Sequence, residues 1–585
     1  MLDPIVIAFF SAAAIVIVYW HVRFNDNAKY QRLSRRGAKS IQRHDFPDAL
    51  FHYAELEKLA LRQNDSATAN VFHFVAAEGT GIASYCLEDF PEAIVAFQRA
   101  LEVAGKGVEA SVASHVQILC LLASSYQSLS RADESRQSFE QLKAYCQSLA
   151  AEEFSETFDF LDHAVAMIAG AQQYELAMSI LELLDQQLDR LPNNEVHQQR
   201  LQCQIRLANF LYAKDEFQTC LGKSESILND ESTNPPLLAA AFQLVGSCQF
   251  AFGDFARATQ SQQSSLEQIA SYANASEIAH SKYTLATYLL YYGNYQQATK
   301  LAQRCHPTLK REYQFSDEGR RFLLLSDLPF LFHSGDYKSM SQVLNELESI
   351  PKTLGVRALT NEASNQCWRA QFFGDLQCFD RAIACIREAL DSLSRMHGDS
   401  RHDSIVYRIL LTSFAIHLGQ LDEAGEQLAL IAATQKSLGS QNYSWSTSLL
   451  SVRASFELAQ GKASECLSTV ESAIERLNET VLPNNTSYAE QWLIRSQAQH
   501  AIGDIESAIN SAKRSISKRE ESQPPDHLRF FASYQTLATL YQQLGQNEHA
   551  IEFEQKADAI RKQCDLILQD ATIGTGEREL NPYAV

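Results

Sequence analysis

Residues 537–557 read LATLYQQLGQNEHAIEFEQKA. Leu537, Ala538, Tyr541 and Leu544 share one helical face before Gly545, and Ala550, Ile551 and Ala557 share another after it. Apolar residues recurring at this spacing mark two amphipathic helices rather than strands. Gly545 stands where the first helix must stop and reverse, and glycine tolerates the left-handed backbone common at a helix end. Ala538 and Ala550 fall where the two helices approach most closely, and a methyl group there lets ridges enter grooves.

The same unit recurs upstream. Gly253, Gly293, Gly335, Gly419, Gly461, Gly503 and Gly545 lie 40, 42, 84, 42, 42 and 42 residues apart. Five residues beyond each glycine stands the packing slot of the second helix, filled by Ala258, Ala298, Met340, Ala424, Cys466, Ala508 and Ala550. Extended toward the N-terminus, the slot falls on Ala49, Ala93, Ser135, Ala177 and Cys220, and it takes in Ala382 between Met340 and Ala424. The pattern predicts an all-α chain of about thirteen helix hairpins over residues 33–571. Because each hairpin packs only on its neighbours, 585 residues need not divide into several globular domains.

Asp89-Phe90-Pro91-Glu92-Ala93-Ile94 with Phe97 and Ala100, Gly293-Asn294-Tyr295 with Ala298, and Gly419-Gln420-Leu421-Asp422-Glu423-Ala424 give this grammar a family likeness. It resembles the tetratricopeptide repeat, and Trp492 falls where that family often has tryptophan. The resemblance implies a right-handed superhelical solenoid of TPR-like hairpins. The spacing near 42 exceeds the standard repeat of about 34 residues and is similar to long variants in kinesin light chains and bacterial regulatory solenoids. The additional residues are expected in longer helices and in the connections at Ser232 to Pro236, Arg395 to Asp403, Glu479 to Thr486 and Lys518 to Asp526.

The N-terminus reads differently. Ile5 to Trp20 is apolar apart from Ser11, and with His21 and Val22 the stretch spans residues 5–22, about 27 Å as a helix. It is followed by Arg23, Lys29, Arg32, Arg35, Arg36, Lys39 and Arg43. By the positive-inside rule this predicts a single-pass membrane protein with residues 1–4 outside, a transmembrane helix at 5–22, a basic juxtamembrane linker at 23–32 and a cytoplasmic solenoid. A signal peptide and a buried capping helix are the competing readings. No Lys or Arg precedes Arg23, which weighs against the former. Residues 572–585 are expected to form a flexible tail.

The formal charge is −20, and beyond residue 43 there are 43 basic against 68 acidic groups. Such a surface repels phosphate backbones, so no nucleic-acid partner is expected. The twelve cysteines show no CxxC pair or framework, and they read as small core residues. Gly222-Lys223-Ser224 lacks the glycine of a phosphate-binding loop, since Phe217 stands there. The sixteen histidines offer no close metal-ligand spacing. No cofactor and no metal is expected, and the chain does not read as an enzyme.

Function is then expected from surface. In the family the concave groove is lined by the first helix of each pair and takes proteins, extended peptides or a partner's helix. The corresponding positions here are Asn209, Tyr212, Tyr283, Thr287, Tyr291, Ser413, His417, Gln535 and Gln542. The preferred reading is a membrane-anchored interaction scaffold or adaptor. Its layout is similar to a bacterial lipopolysaccharide-assembly adaptor, but this chain lacks that family's C-terminal cysteine-rich module, having only Cys564 near its end. A peptide-responsive regulatory sensor is the alternative, and an enzyme with an unrecognised site is the third reading.

Overall fold

The protein is described from a computed structural model, which covers residues 26–570 apart from 109, 130, 171–172, 315, 352–355, 398–401 and 439–442. Among the described residues there are 27 helices and no strand. Twenty-six of them pair into thirteen consecutive hairpins, from Asp26–Gln42 with Phe46–Ala60 to Phe530–Gln543 with Asn547–Asp570. The remaining one, Ala151–Glu156, is a short insertion after the third hairpin.

The packing slot explains the pairing. All thirteen slot residues, Ala49 through Ala550, are no more than 4% exposed. Met340 and Cys466 are fully buried there, since an unbranched thioether and a small thiol both fit a narrow interhelix space. The seven turn glycines have φ between 71° and 106°, the left-handed region that ends the first helix. His44, Glu88, Asp215 and Gln377 take the same conformation with φ of 59–63°, so four hairpins make the turn without glycine. An Asp or Asn follows the turn in many copies. Asp89, Asp254, Asn294, Asp336 and Asp504 each accept a hydrogen bond from the backbone three residues on, which starts the second helix.

The first helix starts at Asp26, so residues 26–32, expected as a linker, are helical. Tyr30 stacks on Phe72 at 4.4 Å, and Leu33 and Ile41 pack against the first core. The basic residues of this stretch lie on the opposite, exposed side, which the expectation took for a membrane-flanking charge run. Residues 1–25 and 571–585 lie outside the described residues, and with them the expected transmembrane helix 5–22 and C-terminal tail. No helix among the described residues is long and apolar enough to cross a membrane. The expected single-pass membrane localisation is therefore corrected, and with it the membrane contact. The described helices carry apolar residues on the face that meets neighbouring hairpins and polar residues on the other.

The chain forms two compact units, residues 1–210 and 211–585. In the first, hairpins stack in order around local cores centred on Leu56, Phe97 and Phe139. In the second, consecutive first helices also touch one another, as His402–His417 does Ser446–Ala459 and that helix does Ser487–Ala501. The first helices therefore line the inside of the curve.

The second unit is coiled tightly enough for its successive turns to meet. The His402 amide donates to Asp215 Oδ2 at 2.9 Å, Ser444 to the Ala251 carbonyl at 2.8 Å, and Leu482 to the Tyr292 carbonyl at 2.9 Å. His527 Nε2 donates to the Phe332 carbonyl at 3.2 Å. In each case the turn of one hairpin meets the connection between the fourth and fifth hairpins after it. The long connections at 479–486 and 518–526 thus form a seam between coil turns. One buried cluster accordingly joins Leu328 through Phe414 with Ala508 through Cys564.

Candidate functional site: the first-helix face and the seam

The helix Ala275–Tyr292 carries three of the expected residues, and they do different work. Tyr283 is buried, and its hydroxyl donates to Asp327 Oδ1 at 2.6 Å while His306 Nε2 holds Asp327 Oδ2 at 2.9 Å. It is a joint between hairpins. Thr287 bonds back to the Tyr283 carbonyl within its own helix at 3.2 Å. Tyr291 is 38% exposed, with its ring edge-on to Phe250 at 5.2 Å, and burial of its hydroxyl end raises its pKa.

Asn209 lies in the first unit, exposed, and bonds to the Ile205 carbonyl at 2.9 Å. Tyr212 is half-buried against Phe217 at 5.1 Å. Ser413 is half-buried and His417 exposed on the helix His402–His417. The His417 ring lies flat on Phe379 at 4.6 Å, and desolvation lowers its pKa against the opposing field of Glu490. Gln535 and Gln542 are exposed two turns apart on Phe530–Gln543. Of the nine, Tyr291, His417, Gln535 and Gln542 are the second unit's exposed positions, whereas Tyr283 belongs to the core.

What the sequence did not reveal is the seam. The last carbonyls of helix Ala275–Tyr292 lack partners within the helix, as at any helix end. Three consecutive ones are capped by a segment some 190 residues later: Tyr291 by Asn485 Nδ2 at 2.9 Å, Tyr292 by the Leu482 amide, and Gly293 by Asn484 Nδ2 at 3.1 Å. Tyr295 adds its hydroxyl, which accepts from the Thr486 amide at 2.9 Å.

Farther along the seam, charge is buried. Asp375 accepts from Tyr337 Oη at 2.5 Å and from Arg529 Nε at 3.1 Å, and the Arg529 guanidinium lies 4.4 Å over the Phe332 ring. His527 is almost wholly buried, and the Arg529 amide donates to its Nδ1 at 3.3 Å, which leaves Nε2–H for Phe332. Burial pushes its pKa down to about 4. Arg519 is buried too, and burial lowers its pKa to about 10.

Between these two contacts lies a cavity of about 820 Å³. Its lining includes Asn294, Gln296, Thr299, His333, Asn484 and Gln523, with Tyr295 and Phe330 as its aromatic members. Amides and hydroxyls are the groups that hydrogen-bond a peptide backbone, and the volume is that of an ordinary ligand pocket. Among the described residues no cluster of His, Cys, Asp and Glu could hold a metal ion. The Pro-Asn-Asn of residues 483–485 was the only local sign of the seam. Its acceptors lie too far away in sequence for any periodicity to indicate them.

A tetratricopeptide-repeat family model matches residues 531–564, so the thirteenth hairpin carries such a repeat. No curated protein matches the chain. Among solved structures, a chain of the APC/C hetero-tetramer Cut9–Hcn1 is similar with a TM-score of 0.50 and 11% identity, over 94% of this chain and 97% of that one. At that identity the likeness concerns the fold. A Rap protein complexed with competence and sporulation factor has a TM-score of 0.46 and 13% identity, over 71% and 99% of the two chains. The apo quorum sensor NprR from B. thuringiensis has a TM-score of 0.41 and 15% identity, over 65% and 92%. The described part of the chain is thus an all-helical solenoid that resembles repeat proteins of this kind in fold, with one tetratricopeptide repeat matched at residues 531–564.

Proposed function

We propose that this chain is an interaction scaffold that binds peptide or protein segments and turns over no substrate. We read it as a long variety of the tetratricopeptide repeat, a reading supported by turn residues that recur every 42 positions from Gly335 to Gly545. The observation that carries the functional reading is the cavity at the seam, which several amide side chains help to line. Amide side chains both donate and accept, the complement of an extended backbone, and of the lining amides Gln296 is exposed while Asn294, Asn484 and Gln523 also bond within the chain. The test is to select peptides on the full chain from a random display library and measure their affinity for Gln296→Ala/Thr299→Ala. Loss of about tenfold or more with an unchanged melting temperature supports the reading. Selected peptides that bind the variant at full affinity contradict it.

A specific observation also favours a sensor. Asn484 both lines the cavity and caps Gly293, so an occupant competes with or reinforces a seam contact. Binding there would change how tightly the coil closes. Small-angle scattering with and without a selected peptide separates the two readings: a changed radius of gyration indicates a sensor, an unchanged one a passive scaffold.

A further inference from the structure

The turns of the second unit are chemically alike but unequally covered. An atom added at the Cβ position of Gly253 would meet Ser444 at 3.2 Å, at Gly293 it would meet Asn485 and Leu482 at 3.4 Å, and at Gly335 it would meet His527 at 2.9 Å. At Gly419, Gly461, Gly503 and Gly545 it would meet nothing within 4 Å. The residue before the glycine differs in the same way at three of these turns. Phe252 packs on Tyr443 of the overlying connection at 5.8 Å, whereas Ile502 and Leu544 are 52% and 46% exposed at the equivalent position.

We propose that this open turn face is the docking surface for a second copy of the chain, associated head to tail. The second unit already makes this contact with itself over three successive glycine turns, and the open turns continue that interface with the same local structure. The complementary surface is also bare. In the connection after helix Phe255–Ile269, Tyr272 is 47% exposed, an aromatic free to cover a turn as Tyr443 covers Phe252. A contact between two different faces is heterologous, so each copy offers one of each and association continues beyond a dimer.

The test is sedimentation velocity on the full chain over a concentration series, with Ile502→Glu/Leu544→Glu and Tyr272→Glu as variants of the two faces. The wild type should associate reversibly and each variant alone should stay monomeric, with helical content unchanged because all three side chains are exposed. An equal mixture of the two variants keeps one intact face of each kind and should form a dimer and nothing larger. A wild type that stays monomeric throughout overturns the proposal, whether or not either variant folds. So does a variant that associates like the wild type, or a mixture that stays monomeric.

Discussion

The Leu482 amide donates to the Tyr292 carbonyl at 2.9 Å across 190 residues of chain, and the two asparagines that follow cap the carbonyls on either side. A helix end that would otherwise face water is thereby satisfied from another turn of the coil. Asn485 is buried, so Asn485→Ala leaves the Tyr291 carbonyl without its partner and should cost about 1–3 kcal/mol. Hydrogen exchange should quicken at residues 291–294 and 482–486 and stay unchanged in residues 26–210. Equal loss of protection along the chain would contradict a local seam.

The turn glycines provide an internal control. Gly503→Ala meets no neighbour and should lose only the left-handed backbone preference, about 1–2 kcal/mol. Gly335→Ala carries the same penalty and also drives a methyl into His527. It should lower the urea midpoint more than Gly503→Ala does. Equal effects would mean that His527 does not lie over that turn in solution.

Acid should loosen the seam before the rest of the unit. His527 is held neutral by burial, with Arg529 and Arg519 adding like charge against Asp375. Its folded pKa of about 4 lies below the unfolded value of about 6.5. Its contribution to stability is therefore complete above about pH 6.5 and is lost as pH falls toward 4. His306 runs the other way. Its bond to Asp327 raises its pKa, so what it contributes is present below the unfolded pKa and fades as pH rises through the folded one. Exchange at the turn around Gly335, followed against pH in wild type and His527→Gln, checks the first sign, since the variant should flatten the acid limb.

Overpacking a slot should act locally. Ala508 is fully buried between the helices of the twelfth hairpin, and Ala508→Leu should cost about 1–3 kcal/mol. Loss of protection should be greatest in the sequence neighbours, hairpins eleven to thirteen, and in the eighth to tenth, which share a core with the twelfth and thirteenth. A loss confined to sequence neighbours would contradict contact between coil turns.

The hairpins were legible because their determinants are local: Gly545 and Ala550 stand five residues apart and repeat together. Turns built on His44, Glu88, Asp215 and Gln377 were not, since none of these residues announces a left-handed conformation. The groove positions were legible as register but not as exposure. Whether Tyr283 faces a partner or binds Asp327 depends on the next hairpin, 44 residues away. Asp375 and Arg529 stand 154 residues apart with no local signal linking them, and only the coil makes them a pair. The basic run from Lys29 to Arg43 reads as the flank of a membrane span, yet Lys29 to Lys39 lie within the helix Asp26–Gln42 of the first hairpin.

The claim that the long connections close the second unit into a tight coil is tested most directly by a double-mutant cycle on Asp375 and Arg529, 154 residues apart in sequence and 3.1 Å apart at their nearest atoms. Unfolding free energies of Asp375→Asn, Arg529→Gln and the double variant give their coupling. The structure predicts a favourable interaction of about 0.5–3 kcal/mol, as for residues in direct contact. Additive effects would contradict the seam and the closed coil with it.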